Sequence, residues 1–156
     1  IEFKEEWLKG IQTVGLTISN TLFTGVETET QDIFTYDFQS PLEGDLSMFV
    51  SFRIPGIKGF MMVIFTEKVY LTLITKVTGY KHLKITPENL AYLSDMMQLV
   101  YTEAGRLLSE QGGYDFLGVK PDMVKNTQVL ISKLGGFANR TFPFRNSCGR
   151  FYIMLG

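Results

Sequence analysis

Residues 46–79 read LSMFVSFRIPGIKGFMMVIFTEKVYLTLITKVTG, and two changes of rhythm within them bear on the fold. Leu46 to Ile54 and Lys58 to Thr66 are two β-rich runs. Pro55-Gly56 between them supplies a turn: proline presets φ at the first central residue and glycine allows positive φ at the second. The pair reads as a hairpin. Met61 to Phe65 is apolar at every position, so the second strand is expected inside the sheet with both faces covered. From Glu67 to Thr78 the spacing turns helical. Val69, Leu73 and Val77 step by four beside Tyr70 and Ile74, and Gly79 ends the run.

Working outward from this stretch, Phe3 to Leu22 predicts a first helix, with Trp7, Leu8, Ile11, Val14, Ile18 and Leu22 on one stripe. Ile33 to Phe38 alternates apolar and polar residues as a strand does. On the other side, Thr86-Pro87-Glu88 gives an N-cap, a first-turn proline and an early acid. The helix they open should run to about Glu110 and stop at Gly112-Gly113, with Leu90, Leu93, Met97, Val100, Ala104 and Leu107 as its apolar stripe. A short β-like run follows at Tyr114 to Val119, and Asn126 to Leu134 fits either a capped short helix or a strand. Phe137 to Phe144 and Arg150 to Leu155 read as a closing hairpin around Asn146-Ser147-Cys148-Gly149. Helices in blocks between strand blocks predict an α+β fold, helices packed on a broad, mostly antiparallel sheet, and not a βαβ nucleotide-binding fold.

The composition fits one globular domain over residues 1–156. Of these, 45% are apolar and 20% charged, and 13 Phe and 7 Tyr supply ample bulk for a core. Fifteen basic and sixteen acidic residues leave a net charge of -1, so no basic excess exists to neutralise nucleic acid. The longest apolar run, Phe60 to Phe65, is far short of the roughly 20 residues of a membrane span. The amphipathic start is unlike a secretory leader. A single cysteine, Cys148, points to a reducing compartment, so a cytoplasmic location is expected. A single histidine, His82, rules out multi-His metal sites.

Cofactor motifs are missing, because no glycine pattern follows a strand and opens a helix as a phosphate loop requires. His82, flanked by Lys81 and Lys84, reads as a surface loop side chain. Cys148 reads as an incidental turn thiol without an activating partner. The pairs Met61-Met62 and Met96-Met97 read as core. The long helix has a more informative outer face. At 100° per residue, Asp95, Gln98 and Thr102 fall within about 60° of one another and roughly opposite the apolar stripe. Ala91, Gly105 and Ser109 lie on the same side. Short neighbours around one acid and one amide would let a partner surface come close. The same pattern is also that of a solvated helix face.

These features resemble the CheC/CheX/FliY family of chemotaxis phosphatases, and most of all its single-site CheX-type members. Three stretches carry the resemblance. GFMMVIFTEKVYLTLITKVTG sits where the family has a glycine-led strand and a helix ending in Met/Val-x-Gly. Asp95-Met96-Met97-Gln98, followed by Thr102-Glu103-Ala104, sits at the family's E-x-x-N and small G-N-A-like segment. Pro121-Asp122-Met123-Val124, then Phe142-Pro143-Phe144 and Cys148-Gly149-Arg150-Phe151-Tyr152-Ile153, match its P-x-x-[I/V], V-P-F and glycine-led last strand. The resemblance covers nearly the whole chain.

It implies an α+β fold of duplicated α-β units and, often, a homodimer. It also implies an activity: docking on a response-regulator receiver domain and hydrolysis of its aspartyl phosphate. Asp95 and Gln98 would be the catalytic pair, the acid meeting the receiver's lysine and the amide orienting water. Ala91, Thr102 and Gly105 would form the docking face. No intrinsic cofactor is implied, and the Mg²⁺ would be the receiver's. The pattern departs from the family in reach, with Asp95 in place of Glu and Gln98 in place of Asn. A receiver-binding or dimerising module without catalysis is the alternative with the same fold.

Overall fold

The computed structural model describes residues 4–37, 44–54, 57–112, 117–118, 122–125 and 139–156. Its elements are α1 (Glu5–Leu22), β1 (Glu29–Thr30), β2 (Leu46–Ile54), β3 (Ile57–Phe65), α2 (Glu67–Thr78), α3 (Pro87–Gly112), β4 (Leu117–Gly118), β5 (Asp122–Lys125), β6 (Arg140–Asn146) and β7 (Gly149–Leu155). The strands form one sheet in the order β1-β6-β7-β3-β2-β4, with β5 also pairing β2. Every described strand pair is antiparallel. The fold is therefore α+β.

β3 lies between β2 and β7, as its two apolar faces require. Met61, Val63 and Phe65 join the core that the three helices share, together with Phe142, Phe144, Phe151, Ile153 and Leu155. Phe60, Met62 and Ile64 point the other way, into a second buried cluster with Tyr36, Tyr152 and Met154. This is period-two alternation with both sides dry. All three helices thus stand on one face of the sheet. Burying a side chain such as Phe65 or Phe151 contributes roughly 1.5–3 kcal/mol. These two rings also stack with centroids 4.6 Å apart.

α2 begins at Thr66, whose hydroxyl accepts from the Val69 N–H, and ends at Gly79 with φ 79°, the left-handed cap that glycine takes without strain. Thr66 therefore caps the helix instead of ending the strand. α1 packs along α3. The approach is close at Gly10, where a Cβ would stand 2.5 Å from a Leu107 methyl.

Ile33 to Phe38 does not form the expected strand. Among its described residues only an isolated bridge, Phe34 with Thr141, pairs with the sheet. Two causes act on this ladder. Gln31 N–H donates to the Pro143 carbonyl, but proline has no N–H to return. The register also slips, because Thr30 faces Phe144 while Phe34 faces Thr141, leaving one extra residue on the outer segment. β5 was quoted only as a motif in the sequence and is a strand on β2. The Pro55-Gly56 turn and the segment Asn126–Leu134 lie outside the described residues, as do Phe137 and Ala138 of the expected hairpin.

Candidate functional site

α3 is fixed at its start by a reciprocal cap. Thr86 Oγ1 accepts from the Asn89 N–H at 3.2 Å, and Asn89 Oδ1 accepts from the Thr86 N–H at 2.8 Å. Asn89 takes the role that Glu or Gln plays in a capping box. Its amide nitrogen then has two hydrogens to place. One goes to the Lys84 carbonyl at 2.8 Å, and the other faces His82 Nδ1 at 3.3 Å. On the far side of the ring, His82 Nε2 lies 2.9 Å from Thr78 Oγ1, which spends its own proton on the Ile74 carbonyl. With the Asn89 amide donating to Nδ1, Nε2 is the ring nitrogen left to donate to Thr78 Oγ1. His82 is half-buried and bonded at both nitrogens, which corrects its reading as a plain surface side chain. Tyr80, which lies over the ring with centroids 4.5 Å apart, is exposed.

Beneath this loop Tyr70 of α2 reaches α3. It is fully buried, and its hydroxyl donates to the Asn89 carbonyl at 2.5 Å while accepting from the Leu93 N–H at 3.0 Å. Burial pushes its pKa upward, so the proton stays on the oxygen.

Beyond that contact α3 turns Leu93, Met96, Met97, Val100 and Ala104 into the core, all fully buried. The opposite side carries Ala91, Asp95, Gln98 and Thr102, all exposed. Asp95 and Gln98 are three residues apart on one side of a continuous helix. Among the described residues neither is held by an ion pair or a hydrogen bond. Gly105 departs from the expected face. It is buried although it lies only about 20° around the axis from the exposed Gln98, because it carries no side chain to reach outward.

Two features of this face escaped the sequence reading. Leu99 is 44% exposed next to Gln98. Arg106 is clamped by Glu103 on one side and Glu110 on the other, at 3.0 and 2.9 Å. The cation one turn past Thr102 is thereby neutralised locally, and Asp95 is left as the open charge of the turn. An i, i+3, i+4 count around Arg106 would have found the clamp. Among the described residues no three His, Cys, Asp or Glu side chains gather as a metal site would require, and no helix is long and apolar enough to cross a membrane.

Among the described residues, three helices on one face of a mixed-order antiparallel sheet, with a polar pair on the outer side of the longest of them, define the architectural class. Within that class the chain has the CheC/CheX/FliY fold. It is similar to a CheC-like superfamily protein from Shewanella sp. PV-4, with a TM-score of 0.78 at 20% identity over 98% of this chain and 97% of that one. It is similar to the chemotaxis protein CheX from Vibrio vulnificus, with a TM-score of 0.77 at 18% identity over 96% and 97%. A third similar structure is a CheX–CheY–BeF3–Mg²⁺ complex from Borrelia burgdorferi, with a TM-score of 0.77 at 12% identity over 98% of each chain. No protein-family model matches the sequence, and no curated protein matches it.

Proposed function

We propose that this domain docks on a response-regulator receiver through the outer face of α3 and hydrolyses the receiver's aspartyl phosphate, in chemotaxis or related two-component signalling. The carrying observation is the pair Asp95 and Gln98, exposed together on one helix face without partners of their own, between the small residues Ala91 and Thr102. The fold supports the reading, because a CheX protein of this fold was crystallised in complex with CheY.

An acyl phosphate is already reactive, so catalysis needs an in-line water and charge stabilisation more than an enzyme nucleophile. The Gln98 carboxamide oxygen would accept a hydrogen bond from the attacking water and aim its lone pair at phosphorus. The Asp95 carboxylate would meet the receiver's lysine and fix the register. The receiver's own Mg²⁺ would balance the phosphoryl charge.

One observation favours a second reading, binding without turnover. Relative to E-x-x-N, the acid is one methylene shorter and the amide one longer, about 1.3 Å each. A misplacement of about 1 Å can lower such positional catalysis ~100-fold. The rate of phosphate loss from a panel of phosphorylated receivers, with and without this protein, tests both. Acceleration supports hydrolysis, tight binding without acceleration supports the docking module, and neither effect on any receiver ends both.

A further inference from the structure

Asn89 and Leu93 are residues i−4 and i of α3, so in an unbroken α-helix the Leu93 N–H would bond the Asn89 carbonyl directly. The Tyr70 hydroxyl bonds both groups of that rung. It gives its proton to the carbonyl and takes the amide's proton, at 2.5 and 3.0 Å. A side chain inserted into the i→i−4 ladder is a recognised cause of helix bending, since a bridged rung is longer than a joined one.

We infer that Tyr70 is a positioning residue: its hydroxyl, wedged into the ladder of α3, sets the direction in which the turn carrying Asp95 and Gln98 faces a partner. The inference rests on the reading of that turn as the functional face. Asp95 begins two residues beyond the wedge, and both flanks of the wedge are anchored. On one side, Asn89 ties the first turn to Thr86, Lys84 and His82. On the other, Met96, Met97 and Val100 are locked in the core. Any change at the junction therefore appears as an angle between the two parts. Opening one rung by about 1 Å across a backbone cylinder of about 4.6 Å tilts the axis by on the order of 10°. Over the next turn and a half that moves the Gln98 amide by about 1 Å, enough to matter for in-line attack. Tyr70 itself is held by its ring, packed edge-on to Phe65 with centroids 5.2 Å apart.

Removing the hydroxyl leaves no orphan, because the Asn89 carbonyl and the Leu93 N–H can close on each other. Tyr70→Phe is thus expected to fold with α3 straightened. Phe65→Leu is the control: it loosens the same packing and leaves the hydroxyl in place. Residual dipolar couplings on the full chain should show residues 87–92 and 94–104 reoriented by several degrees in Tyr70→Phe and not in Phe65→Leu. Receiver dephosphorylation should lose ~10-fold or more in kcat with KM changed less than ~3-fold in Tyr70→Phe alone. Unchanged couplings overturn the inference. So does an active wild type whose kcat is untouched by Tyr70→Phe, or is lowered equally by Phe65→Leu. A wild type inert toward every receiver, with couplings that shift as stated, removes the phosphatase reading and leaves the wedge supported.

Discussion

A carboxamide at position 98 and a carboxylate at position 95 can fail separately, and their failures differ. Gln98→Ala removes an interaction made with water in the transition state, so kcat should fall ~100-fold while receiver affinity changes little. Asp95→Ala removes a charged contact present in the encounter complex. It should weaken binding by about 1–3 kcal/mol, and the loss should shrink as salt screens the wild-type pair. Titration of a receiver against each variant at two ionic strengths separates these outcomes; equal loss of kcat and affinity in both variants contradicts the assigned roles. The double change Asp95→Glu with Gln98→Asn restores the family's side-chain lengths. A variant tuned to its own residues should be no faster after the change. A domain that kept only docking should gain turnover, which would convert the second reading into the first.

Along α3 the division between the two faces is a claim about burial. Met97 is fully buried between the helix layer and the sheet. Met97→Asp would place a carboxylate there without a partner, and the expected loss is about 3–5 kcal/mol or outright unfolding. An unchanged melting temperature would mean that the helix is rotated. The boundaries of α2 and α3, the central position of β3 and the closing hairpin were legible from the sequence because each rests on local chemistry: the change to helical spacing at Glu67, Thr86 as a cap, Gly79 as a stop, the unbroken apolar run Met61–Phe65. The rest was set by distant residues. Ile33–Phe38 alternates like a strand, yet its bridge partner Thr141 sits more than a hundred residues on, and Pro143 breaks the ladder leading to it. Gly105 matches the outer face by angle and is buried by the local surroundings. Tyr70, Asn89 and His82 carry no motif, because what joins them is the crossing of α2 with the start of α3. Asp95 and Gln98 were legible as a face, since a helical wheel needs only the helix. What the face does was carried by resemblance and not by geometry.

In the whole molecule, the strands of the closing hairpin are interior. β6 lies between β1 and β7, and β7 between β6 and β3. Self-association through strand edges or the closing hairpin is suggested by the resemblance and by the aromatic-rich segment Phe137–Phe151, and among the described strands β6 and β7 are paired on both sides. Edge-to-edge pairing among the described strands is left to β1 and to the β4/β5 side of β2, and light scattering at micromolar concentration showing only a 17.7 kDa species would remove a homodimer. The three helices do not form separate layers with separate cores. Leu8, Ile11 and Ile18 of α1, Tyr70, Leu73 and Ile74 of α2, and Leu93, Met96, Met97, Val100 and Ala104 of α3 belong to one buried cluster with the sheet. One core without a polar boundary should unfold as one unit. Trp7 is the sole tryptophan and is 2% exposed in α1, so its fluorescence reports the seating of that helix. Far-UV circular dichroism reports all three helices together. In urea the two transitions should superimpose, with a shared midpoint and a slope of about 1–3 kcal/mol per molar, the usual range for small proteins. If fluorescence changes at lower urea than ellipticity, α1 is a separate unit leaning on α3. The functional helix would then have a detachable neighbour, and the single-core account of the fold would fail.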